Sequence, residues 1–461
     1  MKDEVWKMAK WNLSWEEMRA GKNNAQGVCQ FSGETGAVLD IPFGDISQTI
    51  TLEETGSYAA SLEPPRYDYL FGQTQDGLNV VLGDVQSMGV ERTFPGNSRE
   101  RLSAGVVYCS HHEFDPAALI DSADLEIEGL REWVGICPSQ EIDHVAALIE
   151  CQDTSDSLLL YQSGRCSIEL QYGIERIKRN ANGIYMPCFA RIHISFGDAV
   201  ALDGLWSHEL SRARSFLAFC FGFFPDINDL CIYLRGDVRP VNVYLASFLG
   251  EKKNVNHRNV PIPFSIARDY LPEMFDCWMK MEGDEVQASN MLTSLLGHWD
   301  MPFDMLLFAA TSMFESLARV NSEDLYDRET LESYVEPMLA AADNSIRDRA
   351  RGLLSLLSRP SYGMLLDHAY EESGRWGKEL IPDWKRFRKE QIKLRNEGAH
   401  ALSDEREYEM MTDHYYAQIV LAYVIEMKRL NAPDAILEAF ESSSFMNVAR
   451  RTLKENYSLH V

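Results

Sequence analysis

Near residue 261 the chain changes texture, and this change limits the possible folds more than any other feature of its 461 residues. From Gly27 to about Leu249, short alternating or apolar runs follow one another, among them AVLDIPF, YDYLFGQ, LNVVLGDV, AGVVYCS, CSIELQYGIERI, ARIHISFG and VNVYLASFL. Gly, Asn, Asp and Ser turns separate them, as in an antiparallel sheet or sandwich. One helical element interrupts them, Leu202 to Phe224, expected as a buried helix of the same domain. After Pro261 strand signals nearly vanish. In Met301 to Val320, Leu306, Ala310, Met313, Leu317 and Val320 fall on one helical face, and Tyr416, Val420, Tyr423, Met427 and Leu430 repeat that spacing. Segments 330–357 and 382–394 add more helix.

A chain of this length exceeds what one core usually organises, so the expectation is an α+β protein of two domains. Its parts are an N-terminal extension over 1–26, a β-rich domain over 27–260, a helical connector over 261–299 and an all-α bundle over 300–461.

Nine scattered cysteines without a C-x-x-C pair argue against a disulfide framework and against a cysteine-rich zinc site. The N-terminus lacks the apolar core of a signal peptide, and the longest apolar run, Phe216 to Phe224, is about half of a membrane span. The expectation is a soluble cytoplasmic protein without membrane contact. Against 44 Lys and Arg stand 70 Asp and Glu, a net charge of −26 that opposes nonspecific binding to nucleic acid. One stretch departs from this balance. Between Ile381 and His400 lie Lys385, Arg386, Arg388, Lys389, Lys393 and Arg395, against Asp383, Glu390 and Glu397.

The same stretch ends in RNEGAH, Arg395 to His400. A permanently charged arginine forks onto phosphate, and a histidine exchanges a proton near neutral pH. Around a ribose-phosphate junction the pair can cleave RNA without metal: a base takes the 2′-hydroxyl proton, the oxygen attacks phosphorus and arginine stabilises the developing charge. On a continuous helix, at roughly 100° per residue, Arg395 and His400 would point about 140° apart. Gly398 permits a bend, and a two-fold dimer can bring copies from two chains to one cleft. Spacing alone favours the plainer reading, with Asn396 as a cap, Gly398 as a helix terminator and His400 as a core histidine, because R-x-x-x-x-H occurs often by chance.

LRNEGAH, preceded by a basic helix and followed by HYYAQIVLAYVIEMKRL, resembles the R-[polar]-x-x-x-H motif of HEPN domains, helical bundles of which many are metal-independent ribonucleases acting as dimers. YDYLFGQTQDGLNVVL resembles a recurring strand pair of ApeA-type proteins, prokaryotic antiphage proteins with a β-rich N-terminal domain and a C-terminal HEPN domain. LWSHELSRARSFLAFCFGF, LPEMFDCWMKM and FAATSMFESLARV follow in the order such proteins show. The resemblance implies Arg395 and His400 as catalytic residues with Asn396 in support, no cofactor, a homodimer, an RNA substrate and a phage-derived trigger. It also implies Glu315 as an acid orienting the arginine, against which stands a solvated or N-terminally paired glutamate. Lys385, Arg386, Arg388, Lys389 and Lys393 would meet RNA phosphates, whereas Trp384 and Phe387 are expected to dock into the bundle. The alternative is a catalytically silent HEPN module that binds RNA, a nucleotide or a partner protein.

Three other patterns are weaker. Cys109, His111 and His112 in CSHHEFD have no second cluster at a zinc spacing. Pro225-Asp226 with Glu251-Lys252-Lys253 matches the P-D…E-x-K pattern of metal nucleases only superficially, and no P-loop or G-x-G-x-x-G is present. His414 is expected on the surface near a helix start.

Overall fold

The structure, a computed structural model, describes residues 4–457 apart from 13, 21–24, 33–35, 45, 47–49, 53–57, 61–64, 94–96, 136–139, 144–147, 152–155, 175–177, 181–182, 186, 208, 246–259, 298–300, 321 and 398–404. It divides into a sheet-rich unit, 1–211 with 225–255, and a helical unit, 212–224 with 256–461. The α+β, two-domain architecture is therefore present.

The sheet-rich unit is built on twelve antiparallel strands: β1 (Glu4–Asn12), β2 (Ala25–Ser32), β3 (Gly36–Ile41), β4 (Arg66–Thr74), β5 (Asn79–Thr93), β6 (Asn97–Ser110), β7 (Ile120–Ile127), β8 (Asp156–Gln162), β9 (Cys166–Ile174), β10 (Cys188–Val200), β11 (Ile227–Leu234) and β12 (Pro240–Leu245). Their order is β8-β9-β10-β7-β11-β12-β6-β3-β2-β1-β4-β5, and β5 also pairs with β6. That last pairing closes β6, β3, β2, β1, β4 and β5 into a ring. The long β6 takes part in both halves of the sheet: residues 100–104 pair with β3, and residues 106–109 pair with β12. Alternation explains the ring's interior, because every second side chain of a strand faces one side. Cys29, Phe31, Leu39, Ile41, Leu82 and Leu102 come together there as a buried core.

Segment 1–26, expected as an extension, supplies β1 and the start of β2. β1 pairs with β2 on one edge and β4 on the other.

In the helical unit the longer helices are α1 (Glu209–Phe221, belonging to this unit from Arg212), α2 (Leu271–Lys280), α3 (Asp284–Leu295), α4 (Phe303–Arg319), α5 (Arg328–Ala341), α6 (Arg347–Leu354), α7 (Tyr362–Ser373), α8 (Trp384–Glu397), α9 (Glu405–Arg429) and α10 (Ser444–Asn456). None of the described helices is long and apolar enough to cross a membrane. α4 buries Leu306, Ala310, Met313 and Leu317, the stripe its spacing predicts. From Tyr415 onwards α9 is buried nearly all round, because α3, α4, α7 and α10 pack against it. A single-face reading of that helix is too narrow.

Two expectations about boundaries change. The helix read as part of the β-rich domain belongs, from Arg212 on, to the helical unit. There Phe216 packs edge-on to Phe275 at 4.9 Å, and Phe219 stacks on Tyr423 at 4.7 Å. The stretch read as a connector is likewise integral. Arg212 donates to the carbonyls of Trp278, Met279 and Met281, satisfying the orphan C-terminal acceptors of α2.

Gly222 ends α1 with φ of +78°, and a Cβ placed there would lie 2.8 Å from Phe445 Cε2 and 2.9 Å from Pro261 Cδ. Gly222→Ala is expected to destabilise the helical unit by about 2 kcal/mol, combining left-handed strain with crowding. Urea unfolding of the two chains measures this.

Candidate functional site

α8, WKRFRKEQIKLRNE, turns one face inward and one outward. Phe387 and Gln391, four residues apart, are fully buried, whereas Lys385, Arg386, Lys389, Lys393, Arg395 and Asn396 lie on the exposed side. The Asp383 carboxylate accepts from the Arg386 backbone N–H and opens the helix. Trp384 stacks on Tyr370 at 4.1 Å and on Phe387 at 5.4 Å, so the aromatics of this basic helix are docked in the bundle.

Arg395, in the last turn of α8, meets Glu315 of α4. Its Nε donates to Glu315 Oε2 at 3.1 Å and its Nη2 donates to Oε1 at 3.3 Å. The guanidinium lies over the Tyr362 ring, 4.7 Å from the centroid. The fork is thus held by its side edge and by one face. Among the described residues no hydrogen bond engages its Nη1. Glu315 also accepts from Arg319 Nη2 at 2.5 Å, so one carboxylate serves two guanidinium groups.

Beneath this pair runs a polar ladder through the bundle. The Gln391 amide donates to the Tyr362 hydroxyl at 3.0 Å and to Thr311 Oγ1 at 3.3 Å. Its carbonyl oxygen accepts from Gln418 Nε2 at 3.4 Å, and Gln418 also donates to the His414 carbonyl at 2.9 Å. Buried amides are retained where they are hydrogen-bonded, and this ladder ties α4, α7, α8 and α9 together under Arg395. Sequence reasoning missed Tyr362, Gln391 and Gln418. They lie 27 and 29 residues apart in hydrogen-bonded pairs, and no local spacing marks such contacts.

His414 stands on the same ladder and is completely buried, not at the surface. α9 begins at Glu405, so position 414 falls in its third turn, where the ring stacks on Phe387 at 4.2 Å. Its Nε2 lies 3.1 Å from the Tyr457 hydroxyl, which donates to Glu390 Oε2 at 2.5 Å. Burial pushes the His414 pKa down, with Glu390 opposing. Burial acts upward on Glu390, but the nearby His414 and hydrogen bonds from Tyr457 and Arg386 outweigh it and hold the carboxyl at about 2.

Much of the island's positive charge is matched internally. Arg386 pairs with Glu390 at 3.0 Å, and Arg388 pairs with Asp367 at 2.9 Å while donating to the Gly363 carbonyl. Lys385, Lys389 and Lys393 remain exposed, with Asn396 beside Arg395. Gly398 and His400 lie outside the described residues, as do Glu251, Lys252 and Lys253 of the P-D…E-x-K pattern. Cys109 belongs to the buried core, and His112 faces Ser110 and Asp237, so the CSHHEFD side chains do not converge. Among the described residues no group of three His, Cys, Asp or Glu side chains is arranged to hold a metal.

Residues 9–184 match the family model described as ApeA N-terminal domain 1. The matched stretch is less than half of the chain, so the likeness is to that domain alone. No curated protein and no solved structure matches the chain.

Proposed function

We propose that this chain is an ApeA-type antiphage protein whose helical unit is a HEPN-type endoribonuclease that cleaves RNA without metal. The observation that carries the reading is the Arg395 guanidinium, fixed by Glu315 and Tyr362 at the start of RNEGAH, with no hydrogen bond on its Nη1 among the described residues. An arginine held in this way is pre-oriented for a phosphate, and preorganised charge is what phosphoryl transfer asks of a protein. His400 takes the 2′-hydroxyl proton, the freed oxygen attacks phosphorus, the P–O5′ bond breaks as the 5′-oxygen gains a proton, Arg395 stabilises the added charge and Asn396 supports the pair. The products are a 2′,3′-cyclic phosphate and a 5′-hydroxyl.

Lys385, Lys389 and Lys393 supply phosphate contacts along the RNA, with Arg386 and Arg388 in reach once their carboxylates yield. The active form is a homodimer through the helical unit. Supporting this, Phe308, Met338, Ile346 and Leu353 are each more than half exposed on α4, α5, the turn before α6 and α6. The sheet-rich unit senses a phage-derived trigger in the cytoplasm, and the net negative charge keeps RNA away until then.

Sequencing of RNA ends in cells expressing the chain tests the reading. Cyclic-phosphate ends are expected with the parent and not with His400→Ala. Identical ends from the two chains would sink the nuclease and leave a silent binding module, the reading favoured if the internal pairing of Arg386, Arg388 and Arg395 is permanent.

A further inference from the structure

We propose that Ser195, His193 and Asp124, on the polar face of the sheet-rich unit, form a nucleophilic site that accepts the acyl group of a carboxylic ester, an activity separate from RNA cleavage. The alternation of β10 sets up the site. Ala190, Ile192 and Ile194 are buried, so Arg191, His193 and Ser195 point to the opposite, half-exposed face. Asp124 of β7 lies directly opposite His193 in the ladder, and Cys231 of β11 flanks it on the other side.

His193 Nδ1 is 2.6 Å from Asp124 Oδ1, and Nε2 is 2.9 Å from Ser195 Oγ. The second Asp124 oxygen accepts from the Tyr233 hydroxyl at 3.0 Å and pairs with Arg191 Nη1 at 3.1 Å. Burial acts upward on this carboxyl, but the contacts with His193, Arg191 and Tyr233 outweigh it and hold the acid in its charged form. A carboxylate can only accept, so His193 Nδ1 must donate. In the neutral ring Nε2 then carries the lone pair and accepts the Ser195 O–H. This is the sequence of hydrogen bonds in which a histidine activates a serine and a carboxylate fixes the histidine's tautomer. The neighbouring thiol does not compete. Burial, with nearby carboxylates, pushes Cys231 up to about 12, and its S–H is committed to Asn242.

The reaction closes on itself. Ser195 Oγ bonds to the ester carbonyl carbon as its proton passes to His193 Nε2. The C–O bond to the alcohol then breaks, and that proton leaves on the alcohol oxygen. Water, activated by the same nitrogen, releases the acid and restores Ser195. His193 shows 23% and Asp124 10% side-chain exposure, so the base and its orienter are sheltered while the face stays open to an acyl group.

The full-length protein, treated with a biotinylated fluorophosphonate, tests this directly. A P–O bond forms at Ser195, the P–F bond breaks and fluoride leaves. Peptide mass spectrometry is expected to place the adduct on Ser195 and on no other serine of the sheet. Ser195→Ala should lose it, and His193→Gln should slow labelling about 100-fold, the usual contribution of a positioned base. Hydrolysis of p-nitrophenyl acetate should fall to background in Ser195→Ala. No adduct on Ser195 in the parent would overturn the proposal. So would equal labelling rates for the parent and His193→Gln, or equal ester hydrolysis by the parent and Ser195→Ala. None of these readouts involves RNA, so they stand apart from the ribonuclease reading.

Discussion

Arg395→Ala is expected to lower RNA cleavage about 1000-fold, the range seen when one preorganised donor to a developing oxyanion is removed. The fold should survive the change. Arg395 is 40% exposed in its pair with Glu315, and partly exposed ion pairs contribute about 0 to 1 kcal/mol. Arg395→Lys should fall nearly as far, because an ammonium cannot grip Glu315 with two N–H groups and present a third edge to phosphate. Glu315→Gln should cost less, roughly 10-fold, since it loosens the arginine without removing its charge. Cleavage of a labelled RNA by each purified chain, beside a thermal melt, separates chemistry from folding. An Arg395→Ala protein that cleaves at the parental rate would end the assignment of this residue.

The second large effect concerns Glu426, 1% exposed on α9, where Ser289 of α3 donates to its carboxylate at 2.6 Å. Burial pushes its pKa up from 4.5 to about 7, with the Ser289 hydrogen bond and Arg429 opposing. The folded protein therefore binds this proton more tightly than the unfolded chain does. Stability from the group is fully present below about pH 4.5 and is lost as pH rises towards 7. A shift of this size corresponds to about 3 kcal/mol, at 1.36 kcal/mol per pH unit. Glu426→Gln keeps the shape and removes the ionisation. Its advantage over the parent is expected near zero at pH 4.5 and about 3 kcal/mol at pH 8. His414 works in the opposite direction: burial depresses its pKa, so its contribution is lost as pH falls below the unfolded value. It is present in both chains and cancels in the comparison. Urea midpoints at the two pH values decide the matter, and a difference that does not change with pH would refute it.

Sequence patterns reveal different parts of this molecule unequally. Strands such as β4, β5, β9 and β10 are legible because their apolar residues alternate or run together. β7, IDSADLEI, is not, because it carries an acid at a buried position. Asp124 is tolerated there through partners on β10 and β11, none of them close in sequence. In the helical unit RNEGAH and SMFESLAR draw attention to Arg395 and Glu315, and the structure brings those two side chains together. The Tyr362 ring beneath the guanidinium, and the match of Arg388 to Asp367, come from packing between helices and have no linear signature.

The course of the chain between the two units has a consequence for how such proteins can be taken apart or recombined. α1 follows β10 and precedes β11, yet its aromatic side chains pack with α2 and α9. A fragment beginning at residue 256 would lack that helix and leave Phe275, Trp278 and Tyr423 facing an empty slot. A fragment ending there would carry an apolar helix with no place to bury it. Neither unit is a cassette that one cut or one crossover can transfer. Exchanging sheet-rich units between related chains would require replacing two separate stretches together, which keeps each sheet-rich unit with the helical unit it accompanies.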